Sequence, residues 1–339
     1  MDKHNNNFNF LRLFAAFLVI FSHYFDVTGN ENSEPIYKLL HGKTAASGIG
    51  LSMFFFISGY FITQSAYATN NTLRFLQKRI ARIYPALFVV VLLTAFVIGP
   101  LFTNLTLTKY FTDTDTWQYL YTLTGLKIRH ILPGVFTQSD FFVHGVNASL
   151  WTISLEIGLY LSLALFYSIS FLRKHIIALS AVLVLTCFIL TTLKADVDFF
   201  YIKYLNLCGI FYLGSFVSAA SASLSKKQLA IVFFSLSLTF LVLFILKFKT
   251  DFLLFLVIGF CTYFVGFSSL IKIRLTTDIS YGTYLFAFPI QQIIFQLTNF
   301  NTSIFLQLTL TLLLTIPIAM TSWYFIEKPS IIFNRKRIS

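Results

Sequence analysis

Asn9-Phe10-Leu11-Arg12-Leu13-Phe14-Ala15-Ala16-Phe17-Leu18-Val19-Ile20-Phe21-Ser22-His23-Tyr24-Phe25-Asp26-Val27 opens the apolar part of the chain, and its length and content decide the fold class. Nineteen residues this apolar fill the thickness of a bilayer as one helix. Two residues inside it are costly there, Arg12 and His23. Eleven steps of about 100° come to about 1100°, roughly 20° past three full turns, so both side chains share one helix face. They stand about 16 Å apart along the axis. One segment thus carries a cation low and a titratable imidazole high.

Working outward, the whole chain reads the same way. Of 339 residues 57% are hydrophobic, 18% aromatic and only 11% charged, which describes an all-α integral membrane protein rather than a soluble domain. Ten windows are long and apolar enough to span: 9–27, 47–67, 84–104, 147–171, 176–193, 204–222, 228–246, 252–271, 279–298 and 303–326. About ten transmembrane helices put both termini on one side. The last two windows are divided only by the turn-like Asn299-Phe300-Asn301-Thr302-Ser303. No small-residue cleavage site follows the Asn-rich start, so the first span is expected to double as the targeting signal.

Charge asymmetry supports that count, because cytoplasmic flanks accumulate Lys and Arg. With the N-terminus inside, the inner segments hold fifteen basic residues and three acids, while the outer loops hold nine of each. The entire net charge of +12 falls on one face, with both termini cytoplasmic. A basic surface of this kind is expected from topology alone, so nucleic acid is not expected as a partner. The outer loops 26–46 and 105–146 are the only lengthy extramembrane pieces, too short for an appended soluble domain. With no repeat or linker, residues 1–339 read as a single polytopic domain. Cys187, Cys208 and Cys261 each sit in an apolar window without a CxxC or Cys/His cluster, so they read as packing residues and no metal site is expected.

Ionisable residues at membrane depth are functional candidates. Besides Arg12 and His23 there is Glu156, in Ser149-Leu150-Trp151-Thr152-Ile153-Ser154-Leu155-Glu156, amid polar neighbours. Each also has a plainer reading: a snorkelling arginine, an interfacial histidine, and a helix that starts later with Glu156 at its mouth. The inner loop after the second span adds Arg74, Lys78, Arg79 and Arg82. A spacing of three sets the Arg79 and Arg82 guanidiniums side by side, either as a phosphate fork or simply as cytoplasmic-face charge.

These pieces occur in an order that resembles the membrane acyltransferase 3 family over nearly the whole length. The Arg12 to His23 spacing, Gly50-Leu51-Ser52-Met53-Phe54-Phe55-Phe56-Ile57-Ser58-Gly59-Tyr60, Arg79-Ile80-Ala81-Arg82-Ile83-Tyr84-Pro85, Asn147 to Glu156 followed by Tyr160, and Tyr324-Phe325-Ile326-Glu327-Lys328-Pro329 carry the likeness. The resemblance implies transfer of an acetyl group from cytoplasmic acetyl-CoA to a hydroxyl of a cell-envelope glycan such as O-antigen, or of a lipid-linked sugar, at the bacterial inner membrane. Under it Arg12, Arg79 and Arg82 hold the phosphorylated end of coenzyme A, and His23 is the general base. An acetyl-histidine relay is the second mechanism. Glu156 orients or stabilises the imidazole in the manner of a triad acid. Asn147, Ser149 and Trp151 hold the acceptor or line its cavity, helix capping by Asn147 or Ser149 being the plainer reading.

The chain departs from the family's pattern at Tyr284-Leu285-Phe286-Ala287-Phe288-Pro289, where many members carry a histidine at the fourth position. That concentrates the proton chemistry on His23. Gln291 and Gln292 then read as interhelical hydrogen bonders, and Pro289 and Pro317 as kinks. Two other readings stand beside the enzyme: a transporter or flippase of lipid-linked glycan, and a non-catalytic sensor or scaffold.

Overall fold

The structure is a computed structural model that describes residues 6–69, 71–137, 145–193, 199–221, 223–246, 251–270, 272–273, 275–298 and 303–338. Asp2, Lys3, Lys194, Lys247, Lys249, Arg274 and the turn at 299–302 lie outside the described residues. Regular structure among the described residues is helical, apart from two isolated bridges pairing Thr103 with Val135 and Ile131 with Gly145.

Each of the ten apolar windows holds a long helix. They are α1 (Phe8–Val27), α2 (Ala46–Ala68), α3 (Thr72–Leu93, continuing to Phe102), α4 (Trp151–Ser168), α5 (Ile176–Leu193), α6 (Phe199–Ala220), α7 (Lys226–Ile245), α8 (Asp251–Gly266), α9 (Ser280–Leu297) and α10 (Ile304–Ser322, continuing to Ile338). Seven of them, α1 to α4, α6, α7 and α10, are long and apolar enough to cross a membrane, which makes this a multi-pass membrane protein. The other three fall short for visible reasons. Helices α5 and α8 are apolar but brief, and α9 spends part of its length on Ser280, Thr283, Gln291 and Gln292, all buried.

Helix α3 differs most from expectation. It was expected from residue 84 and begins at Thr72, so the basic stretch Arg74 to Arg82 is its first turns rather than a loop. Asn71 starts it, its side-chain oxygen accepting from the Arg74 N–H at 2.9 Å. Both α3 and α10 pass through a π-helical turn, Thr94–Ile98 and Trp323–Glu327. A π turn inserts one residue and re-aims the side chains beyond it.

Packing divides the chain into two compact units, each built from three segments. The first comprises Met1–Ala15, Gly48–Leu76 and Leu159–Thr276. Its tightest contact is the crossing of α2 and α6, where backbones meet through glycines. A Cβ on Gly59 would collide with the Phe211 carbonyl oxygen, and one on Gly214 with that of Phe56. Small residues let membrane helices approach this closely. Beside the crossing Thr63 donates to Ser215 at 2.8 Å, and Ser215 meets Ser180 at 3.2 Å. Asn7 ties the start of α1 to the end of α8, its N–H donating to Gly266 and its amide to Val265, both at 2.9 Å. Helix α7 has only 6% of its apolar window buried, so nearly all of it is left to lipid.

The second unit comprises Ala16–Ser47, Gln77–Gly158 and Thr277–Ser339. In it Glu34, counted from sequence among the outer-loop acids, is 1% exposed and caps α2. It accepts from the Ala46 N–H at 2.8 Å, from Ser22 Oγ at 3.2 Å and from the Tyr37 N–H at 2.9 Å. A carboxylate at a helix N-terminus meets unpaired N–H groups and the positive end of the dipole. Tyr110, fully buried, donates to the Ala95 carbonyl at 2.7 Å and fits only because residue 99 is glycine, where a Cβ would collide with its hydroxyl.

Because a carbonyl on the facing helix cannot swing aside, Gly59→Val should cost more than an ordinary overpacked core, about 3 kcal/mol or above. The expected outcome is loss of folded protein by size-exclusion profile and thermal melt in detergent, whereas Gly158→Ala, which meets nothing within 4 Å, should leave both unchanged.

Candidate active site

Of the residues assigned a catalytic, donor-binding or acceptor-binding role from sequence, all but Arg12 fall in the second unit. His23 lies near the end of α1 with 8% of its surface exposed, its ring edge-on to that of Phe288 at 4.9 Å between centroids. Phe288 belongs to a small core with Val27, Ala148 and Phe295. This brings three pieces of chain together: the end of α1, residues 145–149, and the middle of α9.

What holds them is a set of carboxamides. Pro289 has no N–H, so the Leu285 carbonyl four residues earlier loses its helical partner. Asn147 replaces that partner, donating Nδ2 to the Leu285 oxygen at 2.9 Å. Gln292 donates to the Gly145 carbonyl at 2.8 Å, and Gln291 to the Ile20 carbonyl at 3.0 Å, one turn before His23. Gln307 on α10 donates in turn to the backbone carbonyl of Gln291 at 3.2 Å. Asn147 stands at the N-cap of the short turn Ala148–Leu150 but spends its side chain on Leu285 instead of a capping bond, and Pro289 does more than bend α9.

The next turn is fixed by hydroxyls. Tyr284 donates to the Ser149 carbonyl at 2.6 Å and pairs with Thr152 Oγ1 at 2.8 Å. Ser149 is 2% exposed and Trp151, which opens α4, is half-buried. Glu156, one further turn along α4, interacts electrostatically with Tyr284. From the other side His130 offers Nδ1 to the Asn147 carbonyl at 3.4 Å, and since a carbonyl only accepts, that nitrogen carries the proton. Burial pushes His130 below the ordinary histidine pKa, with the Asn147 bond acting in the opposite direction.

The basic positions fall into different settings. Arg12, half-buried in the first unit, lies over the Phe61 ring at 5.6 Å. Arg82 splits its fork between two carboxylates, Nη1 to Glu327 at 3.0 Å and Nη2 to Asp278 at 2.8 Å. Its plane sits near the rings of Tyr281 and Trp323, at 5.5 and 5.6 Å. Glu327 is wholly buried in the π turn and also accepts from Ser322 Oγ at 3.0 Å. Asp278 accepts from Ser280 Oγ at 2.6 Å. Arg79 precedes Arg82 by one turn of α3 and is half-buried. The side-by-side fork expected from their spacing is thus divided, since Arg82 faces acids.

Comparison with known proteins supplies what geometry alone does not. The family model of an acyltransferase domain, acyltransferase 3, matches residues 5–324. The chain belongs to that family. It is 27% identical to the O-acetyl transferase of Shigella phage Sf6 over 96% of this chain and 95% of that one. It is 34% identical to Nodulation protein 10 of Rhizobium leguminosarum bv. viciae over 49% of this chain and 45% of the relative. No solved structure matches. Membership makes the chain an acyltransferase, the first of the three readings its sequence left open.

Sequence reading missed Phe288, Glu34 and Asp278, and it gave Gln291 and Gln292 interhelical hydrogen bonds, of which Gln291 makes one to Ile20 on α1. The available signal was four glutamines inside the charge-free stretch 279–326, Gln291, Gln292, Gln296 and Gln307. For the ion cluster, removing Arg82 leaves Glu327 buried without its cation, a loss of about 3–5 kcal/mol in comparable pairs. Arg82→Gln should therefore sharply reduce folded protein, and adding Glu327→Gln should restore most of it. Equal yields for the single and double variants in a detergent melt would show that the two do not act as a unit.

Proposed function

We propose that this acyltransferase is a membrane O-acetyltransferase of the bacterial inner membrane, moving an acetyl group from cytoplasmic acetyl-CoA to a hydroxyl of a cell-envelope polysaccharide such as O-antigen. The reading is supported by the likeness to the phage O-acetyl transferase over nearly the full length of both chains. Residues 1–339 act in it as one catalytic domain with ten crossings and cytoplasmic termini. The observation that carries the chemistry is His23, a nearly buried imidazole whose surroundings are fixed by anchored amides.

In this reading His23 takes the proton of the acceptor hydroxyl as its oxygen attacks the thioester carbonyl. The tetrahedral intermediate collapses, the carbon–sulfur bond breaks, and the proton returns to the departing thiolate as coenzyme A. Charge and atoms balance with no other reactant. Asn147, Ser149 and Trp151 bound the acceptor, the first two held rigid through Leu285 and Tyr284. Glu156 acts through Tyr284, supplying negative charge behind the site as the imidazole becomes cationic. Arg79 serves the phosphates of the donor. Arg82 contributes by holding the turn of α3 that presents Arg79, since its own arms are engaged.

His23→Ala, and the better-packed His23→Gln, are expected to abolish acetyl esters on envelope polysaccharide by mass spectrometry while the protein remains at its normal level in the membrane. Full acetylation by either variant would overturn the catalytic assignment. Arg79→Ala should raise the KM for acetyl-CoA about tenfold, the loss of one charge-assisted phosphate contact, with the acceptor KM unchanged.

A further inference from the structure

Two amide oxygens anchored beside His23 and Phe288 have no hydrogen-bond partner among the described residues. Gln291 is 0% exposed and its Oε1 is unpaired; Asn147 is 0% exposed and its Oδ1 is likewise unpaired. Their orientation is forced. The nitrogen of each faces a backbone carbonyl, Ile20 for Gln291 and Leu285 for Asn147. Turning either amide over would set oxygen against oxygen. The anchors are also close to the chemistry: Ile20 lies one helical turn before His23, and Leu285 one turn before Phe288, whose ring lies against His23.

A buried carbonyl oxygen that receives no hydrogen bond costs roughly 1–3 kcal/mol, and native structures rarely leave such a group without a ligand or a water. Two of them, both neutral and both anchored within a turn of His23 or Phe288, call for neutral donors that the described residues do not supply. A hydroxyl is that donor. An ammonium would have to leave water for a site where these two acceptors are uncharged, at much greater cost.

We propose that Gln291 is a substrate-binding residue which, together with Asn147, accepts hydrogen bonds from acceptor hydroxyls flanking the one that His23 deprotonates. The acceptor class is then a polyhydroxylated ring, such as a sugar with free neighbouring hydroxyls, and an isolated alcohol or an amine is a poor substitute. This rests on the acetyl-transfer reading above. Gln307 also has an unpaired buried oxygen, but its nitrogen is anchored to the Gln291 backbone from α10 rather than to a carbonyl one turn before His23 or Phe288. Specificity of this kind follows from unpaired groups left behind when the wrong acceptor enters.

The test uses the full chain in proteoliposomes with acetyl-CoA and, as acceptor, the polysaccharide fraction of a strain lacking this protein. Gln291→Met keeps the side-chain volume and removes both the oxygen and the nitrogen that holds Ile20. It should raise the half-saturating polysaccharide concentration about five- to tenfold, the worth of one buried hydrogen bond. The KM for acetyl-CoA should not change, and its slow hydrolysis without polysaccharide should fall less than transfer does. Gln307→Met, which removes a backbone anchor on α10, should lower transfer and hydrolysis alike and leave the half-saturating polysaccharide concentration unchanged. If Gln291→Met does not accumulate, Gln291→Asn, which withdraws the oxygen by one methylene, carries the same expectation.

An unchanged half-saturation in folded Gln291→Met overturns the proposal and leaves the oxygen to an ordered water. An equal fall in transfer and hydrolysis overturns it in favour of packing. Wild-type protein that transfers no acetyl group to the polysaccharide defeats the acetyl-transfer reading itself, a result distinct from both.

Discussion

A backbone carbonyl that loses its helical partner inside a bilayer has no water to turn to, so another part of the same chain must satisfy it. Pro289 creates such a carbonyl at Leu285, and Asn147 meets it. Much of the second unit's site follows from that one bond. It fixes residue 147, and with it Ala148 against Phe288 and the Ser149 carbonyl above Tyr284. Gln292 secures the same strip of chain two residues earlier, at Gly145. His23 then has a defined neighbour in Phe288 because α9 cannot slide along the 145–149 segment without breaking both amide bonds.

The ion cluster of the same unit obeys the opposite economy. Here charge is buried rather than avoided, and it is tolerated because Arg82 offers a planar fork whose two arms meet two carboxylates. The π turn at Trp323–Glu327 re-aims Glu327 inward, while its neighbours Tyr324 and Phe325 stay exposed. A regular helix that kept the register of α10 would present a different residue to Arg82. Gly282 completes the arrangement, since a Cβ there would press on Ala319 and on the Glu327 carboxylate.

How much of this could be read from sequence depends on the range of each interaction. Hydrophobic runs are local, and each of the ten windows does hold a helix. Charge bias is additive, so a summed face could be read without knowing a single contact. Pairing is neither local nor additive. Arg82 meets Asp278 across 196 residues and Glu327 across 245, and nothing in the Arg79 to Arg82 spacing tells phosphate from carboxylate. Glu34 misled for the same reason: a loop acid looks solvated until the Ala46 N–H turns toward it. Helix α3 began early because basic residues are good helix formers, and an apolar window sees only the part that lipid touches.

Amides suit the His23 site for a reason that charge would defeat. A carboxamide has a donating half and an accepting half, so one side chain can fasten to a backbone carbonyl and still present an acceptor elsewhere. A carboxylate at position 291 would confront the Ile20 oxygen with lone pairs, and a lysine would fasten there but present nothing to receive a hydroxyl. Both would also bring a net charge to membrane depth. Glutamine and asparagine alone keep the backbone satisfied, the site neutral and an oxygen unpaired, so the identities at 291 and 147 follow from the dielectric of the bilayer as much as from what binds there.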